Sequence, residues 1–252
     1  MELIYIKIGY LLLTALCLLA IGYGLAYALK HAEPEVQVRK RLFSRSLLVI
    51  LGWIAVVSIL SLTGFLQHFD TFPPRLFPFL LLPVIALIWL MRQARTRQLL
   101  LAIPPQWLLY LQAFRIPVEL LLWAQFLVGF TPVQMTLEGQ NFDILVGLSG
   151  PLMGILLLGK GQWRIHAALV WNVLGLGLLL NIVIIAILSF PFPLRVFMNE
   201  PANTLITHFP VSFLPLVLVP LAYYLHVFSI RQLLLLRKKK SCRQISFFHQ
   251  SL

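Results

Sequence analysis

Charge is scarce in this sequence, and negative charge scarcest: 11% of the 252 residues are charged and only 8 are acidic. Soluble domains carry about a quarter charged residues, so a water-facing globule is excluded. Cysteine is nearly missing too. Cys17 lies inside an apolar run and Cys242 in a basic tail, which implies neither a disulfide nor a metal-ligand spacing. The six histidines include no H-x-x-x-H pair, and a Gly-rich phosphate loop, a C-x-x-C-H haem signature and paired catalytic carboxylates are absent. No metal and no cofactor is expected. The last apolar run holds no lysine for a retinal Schiff base. No repeat period or low-complexity linker divides the chain.

Hydrophobicity is what the chain has, at 60% of its residues. Apolar runs bounded by charge and proline fall at 4–29, 46–66, 72–91, 106–130, 142–159, 165–189 and 211–230. Most approach the roughly 20 residues that a spanning helix requires. The third is the least regular, with Pro78 and Pro83 inside it and Arg75 at its outer end, where the side chain would snorkel. The expected fold is therefore all-α: a polytopic transmembrane helix bundle of about seven spans over 1–236, followed by a basic cytoplasmic tail, 237–252. Ala26-Tyr27-Ala28 resembles a signal-peptide cleavage site, but the segment before it is longer than the usual apolar core of a signal and begins with Glu2, so the first run is read as retained.

A net charge of +12 would suggest nucleic acid in a soluble protein. Here the basic residues fall on alternate loops: Lys30, Arg39, Lys40, Arg41 and Arg45; Arg92, Arg95 and Arg97; Lys160 and Arg164; then Arg231, Arg237, Lys238, Lys239, Lys240 and Arg243 in the tail. Lys and Arg mark cytoplasmic loops, which puts the N-terminus outside and the C-terminus inside. Asp70, Glu138, Asp143 and Glu200 fall in or beside the opposite loops. The basic groups are read as contacts to the anionic lipid bilayer, and no nucleic-acid partner is expected.

Within the fourth run, QAFRIPVELLLWAQF (112–126) breaks the apolar pattern. Gln112, Arg115 and Glu119 lie within about 60° of one another on a helix, and about 1.5 Å of rise per residue puts Arg115 roughly 14 Å and Glu119 roughly 20 Å into the run. A lone charge at that depth costs about 3 kcal/mol or more. The two charges are expected to satisfy each other or to meet partners on neighbouring helices. Pro117 cannot donate to the carbonyl of Ala113 and should loosen the helix between them. Such a face is either a site for a polar ligand or a buried pair that fixes packing.

Other polar positions have simpler readings. Asn141 and Asp143, at the start of the fifth run, read as helix caps. Gly147, Gly150 and Gly154 form a close-packing face that could meet another helix, a second copy or a membrane partner. Asn172 and Asn181 read as interhelical hydrogen-bonding groups. The last outer loop, 190–210, carries Arg195, Asn199, Glu200 and His208, with Arg195 and Glu200 expected to pair and the segment to act as a lid or gate. Gly147-Leu148-Ser149-Gly150 matches the short G-x-S-G pattern of rhomboid intramembrane proteases. A helical rise of about 1.5 Å per residue puts Ser149 about 8 Å and His226 about 22 Å below the outer edge, too far apart for a nucleophile and its base.

The segments QAFRIPVELLLW, TPVQMTLEGQNFDILVGL, ALVWNVLGLGLLLNIVIIAILS and LRVFMNEPANT resemble those of a family of uncharacterised bacterial multi-pass membrane proteins. The resemblance spans about 104–234. It implies the bacterial cytoplasmic (inner) membrane and brings no activity with it. Three functions follow as expectations. The first is binding or transport of a small polar solute or ion, with Gln112, Arg115 and Glu119 as floor and Arg195, Asn199, Glu200 and His208 as gate. The second is a structural or assembly role through the glycine face; the third is an intramembrane serine hydrolase or protease at Ser149.

Overall fold

A computed structural model describes residues 2–33, 35–159 and 164–250, with side chains through 238. Lys160 lies outside the described residues, as do the side chains of Lys239, Lys240 and Arg243. The chain forms α1 (Glu2–Ala32), α2 (Val36–Leu62), α3 (Phe77–Arg92), α4 (Ala94–Ala102), α5 (Gln106–Tyr110), α6 (Arg115–Leu127), α7 (Ile144–Leu158), α8 (Ile165–Leu188) and α9 (Val219–Gln250), with no strand among the described residues. The boundary drawn at 236/237 falls inside α9.

Five helical stretches are long and apolar enough to cross a membrane: α1, α2, Gln106–Leu127, α8 and Leu214–Lys238; α3 and α4, bent by 84°, make a sixth if counted as one span. These are the helices of a membrane protein. Two of the seven expected runs depart from a plain span. The third becomes helical only at Phe77, after Pro73 and Pro74, with Pro78 in its first turn. The fifth yields the 15-residue α7, about 22 Å at 1.5 Å per residue, against a hydrocarbon thickness of about 30 Å.

The path of the preceding loop explains the short α7. From the end of α6 the chain runs back along that same helix. Thr131 hydrogen-bonds Gln125 (3.0 Å), Glu138 meets Trp123 (2.7 Å), Asn141 meets Glu119 (2.7 Å) and Asp143 meets Arg115. Arg115 lies about 18 Å below the end of α6, given about 1.5 Å per residue, so α7 starts deep in the bundle. Irregular backbone survives at depth only when enclosed by protein, and Thr131, Gln134, Thr136, Asn141 and Asp143 are all buried. Gly139 permits the fold-back, since a Cβ there would collide with the carbonyl of Val133.

From that start α7 packs antiparallel to the Gln106–Leu127 span. Gly147 lies against Ile116, Gly150 against the Leu109 carbonyl and the Gln112 Cβ, and Gly154 against Tyr110. The glycine face expected to meet another protein or a second copy is thus covered by this chain's own span.

Prolines interrupt two of the long stretches. Ahead of Pro117, residues Leu111–Phe114 tighten into a 3-10 turn, because a proline ring crowds the carbonyl four residues back and offers it no N–H. Leu214–Leu218 forms a π turn just before Pro220. Two carbonyls that a proline four residues on leaves without its N–H are taken by side chains from other elements. Trp53 Nε1 donates to Leu216 O (2.8 Å), which Pro220 cannot reach, and Gln232 Nε2 donates to Leu100 O (2.5 Å), which Pro104 cannot reach. These contacts tie α2 to the last span and α9 to α4.

The contrast between the glycines is testable. Gly150→Ala should destabilise the protein by about 1–3 kcal/mol, because its Cβ would sit 2.6 Å from a backbone carbonyl that cannot rotate away. Gly22→Ala, with nothing within 4 Å, should stay within about 0.5 kcal/mol of the parent. Unfolding in mixed micelles with increasing denaturing detergent reads both.

Candidate functional site

One stripe of α6 carries Arg115, Glu119 and Gln125, all buried among apolar helices. Gln112 (0% exposed), Arg115 (1%) and Glu119 (1%) turn inward as their shared helical face predicts. The partners differ from the simplest expectation. Arg115 does not salt-bridge Glu119. Its Nε donates to Asp143 Oδ2 (2.7 Å), its Nη2 donates to Asp143 Oδ1, and its Nη1 meets His226 Nε2 (3.1 Å). The fold-back of 131–143 delivers Asp143 to the guanidinium from one side, and α9 delivers His226 from another.

Donor and acceptor roles follow from arginine, which can only donate. Nε2 of His226 must accept, so Nδ1 carries the proton and donates to Asn172 Oδ1 (3.0 Å). Asn172 Nδ2 in turn donates to Ser229 Oγ (3.0 Å) and to Ala168 O (2.8 Å). Gly175 makes room for the ring, because a Cβ there would collide with His226 Cε1. An ordered chain of hydrogen bonds thus runs from Arg115 through α9 into α8.

Glu119 has a different environment. Its Oε2 accepts from Asn141 Nδ2 (2.7 Å), and no cation among the described residues salt-bridges it. Above it Gln125 Nε2 donates to Tyr10 Oη (2.5 Å) on α1 and its Oε1 accepts from Thr131 (3.0 Å). The expected capping role of Asp143 and Asn141 is corrected accordingly. No side chain caps α7. The Asp143 carboxylate serves Arg115, while Asn141 Oδ1 accepts the Asp143 N–H (3.1 Å) and its amide serves Glu119.

The outer loop splits into two parts. Arg195 binds its own segment, donating to Phe197 O (2.7 Å), Asn199 O (2.6 Å) and Glu200 Oε1 (3.0 Å). Asn199 Nδ2 then donates to Gln134 Oε1 (2.7 Å), and Gln134 Nε2 reaches Ser189 Oγ (2.9 Å). Arg195, Asn199 and Glu200 are in this way fastened to the folded-back loop that carries Asn141 and Asp143. His208 stands apart, with Nδ1 near Thr204 O (3.3 Å) and Thr207 Oγ1 (3.4 Å). Asn181, expected to bond another helix, instead donates from α8 to the Gln140 carbonyl of the folded-back loop (2.9 Å).

For Ser149 the depth argument fails, because α7 starts far below the end of α6. Hydrogen bonding separates it from a base instead. Ser149 Oγ donates to Leu145 O (2.6 Å) and accepts from Trp171 Nε1 (3.0 Å), while both ring nitrogens of His226 are occupied by Arg115 and Asn172. A surface cleft of about 470 Å³ lined by Arg231, Leu234, Leu235, Arg237 and Lys238 shares no residue with the charged centre.

Sequence reasoning missed that Asp143, His226 and Ser229 belong to the network around Arg115, and that Gln125 and Tyr10 form a second polar group above Glu119. The three-residue spacing of His226, Ser229 and Gln232 marks a polar stripe on α9 and was the one available signal. No known protein family, characterised protein or solved structure matches the chain.

A pH effect follows at the outer loop. The Arg195 guanidinium, helped by the Ala202 N–H, holds the Glu200 carboxyl below its ordinary range. The contact stabilises the folded loop at pH values above the unfolded pKa of Glu200 and is lost as pH falls through the lower folded value. Protection of the amides at 195–203, relative to their unstructured exchange rate at each pH, should therefore fall on acidification through and below the ordinary glutamate range, and Glu200→Gln should remove that dependence.

Proposed function

We propose that this chain binds a small polar solute or ion at the Arg115–Glu119 centre and carries it across the bacterial cytoplasmic (inner) membrane. On this reading the chain makes seven crossings, with the N-terminus outside and the C-terminus inside. The fold-back of 131–143 together with α7 completes one crossing, and the bent α3–α4 pair supplies another. The basic residues of the inner loops and of α9 rest against anionic lipid.

The supporting observation is the position of the charges: both are enclosed on a span whose helix changes character at Leu111–Phe114, directly before Arg115. Intramembrane ionisable groups are costly and mark solute or proton paths. Discontinuous helices commonly frame such sites in transporters, and the π turn of the last span supplies a second discontinuity in the bundle. Arg115 attracts an anionic group. Glu119, a buried carboxylate without a salt bridge, is the group placed to exchange a proton. Asn199, bonded to Gln134, connects the Arg195–Glu200 segment to the loop over this centre and makes it the outer gate.

The test reconstitutes parent, Glu119→Gln and Arg115→Met in vesicles, reading proton movement with an internal pH dye while acetate, chloride or potassium gradients are imposed. Arg115→Met should lose about 3–5 kcal/mol of stability, since it leaves the Asp143 carboxylate buried without its partner. Glu119→Gln, isosteric and still able to face Asn141, should fold like the parent and lose most of the flux. Parent-like flux in Glu119→Gln, or no flux in the parent under any of the gradients, overturns the reading.

A further inference from the structure

The arrangement around Arg115 identifies the kind of ligand it would take. We propose that the centre receives a small monocarboxylic acid and that Asp143 is the internal carboxylate the ligand replaces. This rests on the reading of the centre as a ligand site and names its substrate class.

Arg115 is held from two sides by groups that do not belong to the folded-back loop. His226 accepts from Nη1 and is itself fixed by Asn172, and Gly147 of α7 lies 3.4 Å from the Arg115 Cβ, measured to an added Cβ. The edge formed by Nε and Nη2 is different. It meets only the two oxygens of Asp143, the side-on pairing that a planar guanidinium makes with a carboxylate. If Asp143 withdraws, that edge stays oriented toward an opening of carboxylate size.

The movement this requires is of the Asp143 side chain, within a segment held by side-chain contacts, Asn141 to Glu119, Gln134 to Ser189 and Asn199, and Asn181 to the Gln140 carbonyl. Its own backbone bonds also hold it, the Gln140 and Asn141 N–H groups donating to the Gln134 and Thr136 carbonyls. The Asp143 carboxylate makes no cap bond to α7, so turning it aside leaves the Val146 and Gly147 N–H bonds to the Asp143 carbonyl (3.1 and 3.3 Å) in place.

Charge balance then sets the form in which the ligand enters. The groups facing Asp143 are Arg115 and, nearby on α6, Glu119, with His226 on the far side of the guanidinium. A ligand entering as an anion beside Arg115, Asp143 and Glu119 would add a buried negative charge with no cation to answer it among the described residues, which is costly. A ligand arriving as the neutral acid avoids this. Its O–H proton passes to the Asp143 carboxylate, the ligand becomes the carboxylate held by Nε and Nη2, and Asp143 leaves as the neutral acid. One O–H bond breaks and one forms, and the net charge of the centre is unchanged. Uptake of the anion is thereby coupled to one proton.

The experiment uses full-length protein in micelles and formate as the probe, with chloride at equal ionic strength as control. Asp143→Asn should bind formate about tenfold more tightly than the parent if the parent leaves the edge free about a tenth of the time, and Asp143→Asn with Arg115→Met should not bind it. In the parent, formate should speed amide exchange within 131–143, and chloride should not. The inference is overturned if folded Asp143→Asn binds formate no better than the parent. If that variant does not fold, it is overturned by parent exchange at 131–143 that formate leaves unchanged. Formate binding to Asp143→Asn without flux in the parent would keep this inference and remove transport; flux in the parent with no formate binding would do the opposite.

Discussion

A guanidinium enclosed by apolar helices must have its N–H groups answered from within the protein. Much of the structure around Arg115 follows from this. The carboxylate that answers two of them comes from a loop, so the loop enters the bundle. It runs back along α6, and α7 is correspondingly short. The remaining contact comes from His226, so α9 must approach closely enough for Gly175 of α8 to leave room for the ring.

The same rule operates on the backbone. Each proline in a long apolar helix frees a carbonyl that lipid cannot satisfy. Trp53 and Gln232 show the response, each reaching from another element to a carbonyl that Pro220 or Pro104 has released. Such breaks become links between helices: Pro220 lies in the last span, and Pro104 in the joint between α4 and α5.

The helical membrane class was legible in the sequence because it depends on composition and run length. The inward face of Gln112, Arg115 and Glu119 was legible because helical spacing fixes it; Asn172 makes its expected interhelical bond to Ser229, whereas Asn181 bonds the Gln140 carbonyl of a loop. Arg195 and Glu200, five residues apart in one loop, pair as expected. Asp143 was misread for a physical reason. An Asp before an apolar helix reads as a cap when the helix is assumed to begin in water, and nothing in a hydropathy window shows that Asn141 and Asp143 are buried against α6. His226 was set aside because its partners, 111 and 54 residues away, share no local pattern with it.

A double-mutant cycle tests the central claim most directly. Unfolding free energies are measured for Arg115→Met, Asp143→Asn and Glu119→Gln, and for the two doubles that contain Arg115→Met. The account predicts that the coupling of Arg115 to Asp143 exceeds that of Arg115 to Glu119 by on the order of 2 kcal/mol. Equal couplings, or a larger one to Glu119, would contradict the fold-back of 131–143 onto α6 and the site built on it.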